Sequence, residues 1–345
     1  MHITRQLIEE RTRAIVRAFS LSEKEIELSS SLTERLPRIV IDAHLHCAYS
    51  SDVLEMSDKA YGHMISTFPF FTCEESQMMN ILFYPSVEIR SLRFGMVFKG
   101  VDFEKMNNSL VQHALPGDRV ALYGTLDNPD YVINELSTGK FAALKMYYSY
   151  PEENAKTIIG TFSKKILRFV EAQKIPIICH LPFSLDEEVE DILELQQAFP
   201  NLRMTICHLG STEVHHGERT TESFRMIGKN TEFMMDCSLN HNKQSMRDAI
   251  EFLGPNRVMY GTDAPYNLFR SVVYEHPEKG KRIVTSDVYH WTDLIEYSKY
   301  AFLAKNAIHE HWAVLSALLD EIDNFDIPGL KDKIFFENAN SFYWR

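Results

Sequence analysis

Residue types that can hold a metal ion recur at the ends of short apolar runs in this chain of 345 residues. Four histidines, one aspartate and one lysine occupy such places: His44, His46, Lys145, His180, His208 and Asp263. Imidazole and carboxylate groups are suitable ligands for zinc, iron or manganese. If the runs are strands of one barrel, these side chains meet at a single point, where we expect a metal centre.

The first pair of candidate ligands is His44 and His46, directly after the run Ile39–Ala43. Side chains two residues apart on a strand point to the same side, so both rings can bind one cation. The chain has 14 histidines, and one such pair by chance is unsurprising. The pair becomes stronger evidence for a metal site because His180, His208 and Asp263 each stand at the end of a separate run.

Eight apolar runs predict strands, and amphipathic stretches lie between several of them. The spacing fits this, because His180 and His208 are 28 residues apart and His208 and Asp263 are 55 apart, which corresponds to one and two strand–helix units. Strands that alternate with helices indicate a parallel sheet, and eight of them favour an α/β (β/α)8 TIM-like barrel. The predicted strands are Ile39–Ala43, Phe94–Phe98, Val120–Tyr123, Ala142–Tyr147, Ile175–Cys179, Met204–Cys207, Glu232–Cys237 and Val258–Gly261.

Two additions to the barrel are expected. Residues 1–36 read as an N-terminal helical extension, in which Ser22 and Glu25 fit a capping box. Residues 37–345 form the barrel domain, with a long insertion at about 47–80. A long segment on the catalytic face predicts a lid or pocket wall. A second long segment, 264–287, contains prolines and glycine, which predict irregular structure.

Composition and net charge restrict the classes of molecule that this protein is expected to bind. Apolar residues make up 45% and charged residues 24%, which is typical of a globular protein. The net charge of −12 argues against nucleic acid and anionic membranes as partners. Because the sequence shows neither a signal peptide nor a membrane span, we expect a cytoplasmic protein that acts on a small molecule. Homo-oligomer formation is left open.

Two of the five cysteines directly precede candidate ligand histidines. Cys179 precedes His180, and Cys207 precedes His208. Neighbours on a strand point to opposite faces, so with both histidines inside the barrel both cysteines are expected to face the helix layer. There they would serve as small buried hydrophobic residues.

The complete set of positions resembles the amidohydrolase superfamily. The resemblance rests on the H-x-H after strand one, the lysine on strand four, the histidines on strands five and six, and the aspartate on strand eight. The segment 334–342 is similar to the closing motif of the amidohydrolase 2 branch, and the match covers roughly residues 38–345. The N-terminal helices and the long insertion fit no subfamily that we can name.

The resemblance implies a role for each residue. His44, His46 and Asp263 would bind the more buried metal, and His180 and His208 a second, more exposed one. Lys145 would bridge the two as a carboxylated lysine, because an ammonium repels cations. Zinc is the expected metal, with manganese or iron as alternatives. Asp263 would act as the acid/base, and with one metal His208 would act as the acid instead of a ligand.

Three functions fit these roles. The first is a metal-dependent hydrolase that uses activated water to cleave an amide, lactone or related C–N or C–O bond. The second is a metal-dependent decarboxylase of a small carboxylic acid, and the third is a non-catalytic binding protein.

Other polar and aromatic residues are weaker pocket candidates, each of which is more simply solvated or structural. They are Lys99, Tyr147, Tyr148, His215, His216, His241, Arg90, Arg93 and Arg270, with Tyr61, Phe68, Phe70 and Phe71 in the insertion.

The number of bound metals separates the alternatives for Lys145. A carboxylated Lys145 predicts about two metal ions per chain, whereas a Lys145 that contacts substrate predicts about one. Elemental mass spectrometry on protein purified without chelators measures this ratio. About one ion per chain would contradict the bridging role and would favour decarboxylation.

Overall fold

A computed structural model describes most of the chain and contains eight parallel strands in one sheet. The described residues are 13, 15–53, 71–96, 100–124, 128–147, 163–212, 216–278, 280–289 and 292–344. The strands pair in sequence order from first to last, as the (β/α)8 prediction requires. They are β1 Ile39–Cys47, β2 Glu88–Gly95, β3 Arg119–Tyr123, β4 Ala143–Tyr147, β5 Ile177–His180, β6 Met204–Ile206, β7 Met234–Asp236 and β8 Val258–Met259.

Helices lie between most of the strands and after the last one. Among the described residues, none of them combines the length and the apolar character needed to cross a membrane. They are α1 Glu23–Thr33, α2 Cys73–Phe83, α3 Phe103–His113, α4 Pro129–Ser137, α5 Lys164–Gln173, α6 Leu185–Ala198, α7 Glu218–Asn230, α8 Lys243–Asp248, α9 Leu294–Tyr300, α10 Glu310–Asn324 and α11 Asn338–Tyr343.

The structure differs from the sequence-based predictions in two elements. Strand β2 begins at Glu88, six residues before the predicted start, because Arg90 and Arg93 concealed an otherwise extended run. The segment after β8 contains an antiparallel hairpin of β9 Arg270–His276 and β10 Gly280–Thr285. Pro277, expected to break the structure, lies in the turn of this hairpin. The central part of the insertion, 54–70, lies outside the described residues.

The barrel interior is a separate apolar cluster, and its lower end is closed by the C-terminal helix. The cluster takes one or two residues from each strand except β6, which is followed by the cluster residue Cys207, and it includes Ala339 and Tyr343 of α11. The hydroxyls of Tyr343 and Thr205 are 2.6 Å apart. Segment 334–342 therefore covers the end opposite the candidate site. The inward residues are Ile41, Ala43, Leu92, Phe94, Ala121, Ala143, Ile178, Cys207, Met234 and Met259.

The expectation for Cys207 is wrong. Cys179 belongs to the outer cluster, as predicted, but Cys207 lies in the barrel interior. The alternation rule fails because β6 ends at Ile206 and His208 has a left-handed backbone with φ of 57°. Both Cys207 and His208 therefore face the candidate site.

The first and last strands are joined by residues just beyond β8. The backbone N–H of Asp263 donates to the carbonyl of His44, and the backbone N–H of His46 donates to the carbonyl of Ala264. Both distances are 2.8 Å. Asp42 ties the same seam, because its carboxylate accepts from the backbone and the hydroxyl of Thr262 at 2.9 and 2.6 Å. Burial raises the pKa of Asp42 to about 6, although these hydrogen bonds oppose the shift.

Glu25 attaches the N-terminal extension to the rest of the protein. The predicted capping box with Ser22 is confirmed. The buried carboxylate lies 2.6 Å from Nδ1 of His309 and 3.1 Å from Nη2 of Arg270. Burial alone would raise the pKa of Glu25, but His309 and Arg270 outweigh it and hold the pKa well below its usual range.

Replacing Glu25 with Gln is expected to destabilise the fold by about 3 kcal/mol, because the Arg270 guanidinium loses its buried counter-charge and His309 loses its carboxylate partner. A depressed folded pKa contributes stability above the unfolded value of about 4.3 and loses it as the pH falls below that value. The difference from the wild type should therefore shrink in acid.

Urea unfolding at pH 7 and at pH 3 measures both effects. Glu23→Gln is the matched control, since Glu23 lies exposed on the same helix. Equal losses for the two variants would contradict the role of Glu25.

Candidate metal centre

The predicted ligand residues meet at the C-terminal end of the barrel, where barrel enzymes build their active sites. His44 and His46 lie on β1, Lys145 on β4 and His180 on β5. His208 follows β6 directly, and Asp263 follows β8 by four residues. Except for the partly exposed His180, all of these residues are buried.

His44, His46 and Asp263 form the first cluster, with ligand atoms all within 4.8 Å of one another. Oδ1 of Asp263 is 3.1 Å from Nε2 of His44 and 3.3 Å from Nε2 of His46. Two ligands of a tetrahedral zinc ion lie about 3.4 Å apart, given bonds of about 2.0–2.1 Å. The separations therefore fit a shared ion.

Hydrogen bonds on the far side of each ring fix which nitrogen faces the cluster. Nδ1 of His46 is 3.0 Å from the carbonyl oxygen of Gly95, which can only accept, so Nδ1 donates. Nδ1 of His44 donates to the carboxylate of Asp236 at a distance of 3.0 Å. In neutral rings both Nε2 atoms then carry lone pairs, as metal ligands require.

The donor set lacks a positive charge at its centre. Nε2 of His44 is fully buried and makes no hydrogen bond, although the Asp263 oxygen is close. With neutral rings, two imidazole lone pairs and a carboxylate oxygen face one another, which is unfavourable unless a cation lies between them. These residues therefore fit a divalent metal ion.

Ionisation of the cluster agrees with this fit. Burial and Lys145 lower the pKa of His44, but the charges of Asp236, Cys207 and Asp263 outweigh them and raise it well above its usual value. Burial lowers the pKa of His46 to about 4 despite Asp263. Burial would raise the pKa of Asp263, but the histidines hold it well below its usual range. The cluster thus attracts positive charge, whether a proton or a metal supplies it.

His180 and His208 form the second pair. Nδ1 of His180 is 3.0 Å from Nε2 of His208, a distance that suits a hydrogen bond or two ligands of one ion. Nδ1 of His208 is 3.0 Å from the carbonyl oxygen of Ser238. Burial lowers the pKa of both rings, with the positive neighbours of His180 adding to its shift. Both rings are therefore neutral near pH 7, the form that binds a metal.

Lys145 is fully buried and points toward the same centre. Its Nζ is 3.5 Å from Sγ of Cys207 and 4.5 Å from the ring centre of Phe94. Its charge lowers the pKa of His44, His46, His180 and His208. Among the described residues, no carboxylate oxygen lies within 4.0 Å of Nζ to balance it.

Backbone conformation places two of the functional side chains. His208 and Asp263 have φ of 57° and 59°, in the left-handed region where aspartate and histidine are enriched among non-glycine residues. Gly261 allows the last strand to approach β1, since a Cβ there would lie 2.8 Å from Cβ of His44. Strained backbone of this kind is common at functional sites.

Sequence reasoning missed three residues of this centre. Asp236 ends β7 and accepts from the His44 ring and from the backbone N–H of His208 at 3.1 Å. Ser238 contacts the His208 ring, and Cys207 lies in the interior. Asp236 carried a usable signal, because it is a carboxylate at the end of a predicted strand.

The weaker pocket candidates make structural contacts where the structure describes them. Arg93 pairs with Asp118, Arg90 with Glu88 and Arg270 with Glu25. His216 pairs with Asp248 and His241 with Glu310, while Phe71 is buried beside Ala48. The rest lie outside the described residues or have undescribed side chains: Tyr61, Phe68, Phe70, Lys99, Tyr147, Tyr148 and His215.

Asp236→Asn is expected to lower metal affinity by about 10- to 100-fold, because it removes the charged acceptor that orients His44. Competition with a chromophoric zinc chelator measures the affinity. Asp248→Asn is the matched control, since Asp248 is a buried histidine partner outside the centre. Wild-type affinity in the Asp236 variant would contradict the orienting role.

Comparison with known proteins supports the architecture. An amidohydrolase from Burkholderia multivorans with bound zinc has 12% identity and a TM-score of 0.58, and the match covers 89% of this chain and 99% of that one. A probable 2-pyrone-4,6-dicarboxylic acid hydrolase from Acinetobacter baumannii with citric acid bound has 13% identity and a TM-score of 0.57, with the same coverage.

A third similar structure is a dihydroxybenzoic acid decarboxylase from Polaromonas sp. JS666 with manganese and 2-nitroresorcinol bound, at 13% identity and a TM-score of 0.53, covering 90% of this chain and 97% of that one. At these identities the likeness establishes the fold alone. No curated protein matches the sequence. A protein-family model described as Amidohydrolase matches residues 133–343, more than half of the chain. The chain therefore belongs to the amidohydrolase family.

Proposed function

We propose that this protein is a metal-dependent hydrolase of a small molecule with an amide, lactone or related C–N or C–O bond. The observation that carries the proposal is the convergence of His44, His46 and Asp263. Their facing atoms are all acceptors in neutral rings, and Nε2 of His44 is buried without a hydrogen bond. A cation is the ligand that this arrangement favours.

The chemistry is divided among the residues. A divalent cation bound here would supply an activated water molecule and would polarise the scissile carbonyl group. His44 and His46, oriented by Asp236 and by the Gly95 carbonyl, would hold the cation. The Asp263 carboxylate, ionised because of its lowered pKa, accepts the proton of the water and returns it to the leaving group.

The second pair supports either of two arrangements. His180 and His208 would bind a second ion, with a carboxylated Lys145 as the bridge, or they would serve as proton donors to the substrate. We propose zinc as the metal because four imidazoles are available, with manganese or iron as alternatives. The similar structures with zinc and with manganese are compatible with each choice.

Decarboxylation of a small carboxylic acid is the second candidate function. The contact between His180 and His208 favours it if the 3.0 Å separation is a hydrogen bond. One ion would then remain, and His208, no longer a ligand, would act as the acid/base after taking up a proton. One of the similar structures is a decarboxylase with bound manganese, and another is a probable hydrolase.

Asp263→Asn is expected to reduce turnover by about 10²- to 10⁴-fold, because an amide cannot accept the proton of the water. The wild type and the variant would be screened against lactones, amides and aromatic carboxylic acids, with ring opening, amine release and carbon dioxide release as separate readouts. Treatment with a chelator should abolish the activity, and added zinc should restore it.

Asp130→Asn, an exposed carboxylate on α4, is the matched control and should keep full activity. Release of carbon dioxide without any hydrolysis would select the decarboxylase. Activity that survives both chelation and Asp263→Asn would overturn the metal-dependent mechanism.

A further inference from the structure

We propose that Sγ of Cys207 is itself a ligand of the metal centre and that an unmodified Lys145 stabilises this sulfur. The inference rests on the metal centre proposed above and adds a soft ligand to its imidazole and carboxylate donors. It concerns a residue whose inward position the sequence pattern did not predict.

The position of the sulfur carries the first step. Ligand atoms of His44, Cys207 and His208 all lie within 4.8 Å of one another, as do those of His44, His46 and Asp263. His44 belongs to both groups, and Nδ1 of its ring is already bonded to Asp236. That leaves Nε2 of His44, which is buried without a hydrogen bond, as the ring nitrogen available to a metal from either group. A single metal ion bound there would take ligands from His46 and Asp263 on one side and from Cys207 and His208 on the other.

The surroundings of Lys145 carry the second step. Its ammonium is fully buried, lies 3.5 Å from the sulfur and faces the ring of Phe94. A buried positive charge is costly without a negative partner, and cation–π contact with Phe94 offsets only part of the cost. A metal-bound thiolate at Cys207 would supply the missing negative charge.

Of the two roles considered for Lys145, only the unmodified ammonium is compatible with a thiolate as its neighbour. A carboxylated Lys145 would place a negative group against a thiolate, whereas an ammonium attracts it and donates a hydrogen bond to it. When the metal binds, the sulfur–metal bond forms and the thiol proton leaves to solvent. Lys145 would then act as a positioning residue for the sulfur.

A sulfur ligand would also affect the choice of metal. Thiolate favours zinc and other soft or borderline ions, while oxygen ligands favour magnesium, calcium and manganese. A ligand set of imidazole, carboxylate and thiolate therefore disfavours manganese. The mixed donor set would distinguish this protein from a purely nitrogen and oxygen site.

Cobalt substitution of the full-length apo-protein tests the inference. We expect visible ligand-field bands together with a near-ultraviolet thiolate-to-cobalt charge-transfer band. Cys207→Ser should lose the charge-transfer band and keep the visible bands. Cys179→Ser is the matched control, since Cys179 precedes His180 as Cys207 precedes His208 but faces the helix layer. This variant should keep both kinds of band.

The outcomes separate this inference from the proposed function. Visible bands without a charge-transfer band in the wild type, or a charge-transfer band that survives in Cys207→Ser, would overturn sulfur ligation and leave the metal hydrolase standing. A failure of the wild type to bind cobalt or zinc would overturn the proposed function itself.

A second measurement needs no variant and so does not depend on the folding of Cys207→Ser. X-ray absorption at the zinc edge of the wild type should show one scatterer at about 2.3 Å, the zinc–sulfur distance, besides nitrogen and oxygen at about 2.0–2.1 Å. A first shell of nitrogen and oxygen alone would overturn the inference.

Discussion

The candidate site depends on the hydrogen bonds that the carboxylate of Asp236 accepts. One oxygen accepts from the His44 ring, and the other accepts from the backbone N–H groups of His208 and Ser238. A single side chain at the end of β7 thereby connects β1, the turn after β6 and its own strand. Burial would raise the pKa of Asp236, but the charges and hydrogen bonds of these neighbours hold it well below its usual range. It therefore stays ionised and compensates part of the positive charge that the centre attracts.

Much of the barrel could be predicted from the sequence, because parallel strands buried on both faces read as short apolar runs. The candidate ligand positions followed from the same pattern, since most of these side chains stand where a run ends. The prediction for Cys207 failed because β6 ends at Ile206 and the left-handed backbone of His208 brings its side chain to the same side as that of Cys207. Gly210 is compatible with such a turn, but nothing in the sequence shows that the left-handed backbone already begins at His208 and Leu209.

Long-range partners were the other part that the sequence did not provide. Arg93 and Arg270 read as candidates for an anionic substrate, yet they pair with Asp118 and Glu25, which are distant in the chain. The hairpin of β9 and β10 was hidden because Pro277 and Gly280 mark a turn as well as they mark irregular chain. Charge and turn residues restrict what a segment can do, but packing decides which of the allowed roles it takes.

The seam between the first and last strands has a consequence for folding. The bonds that close it come from Asp263 and His46, and both residues are also ligands of the proposed centre. Asp263 is 219 residues from His44 along the chain, so these groups meet only when the two ends of the sheet are brought together. Assembly of the centre and closure of the ring are therefore one event. Metal uptake during refolding would report the moment at which the barrel becomes a closed surface.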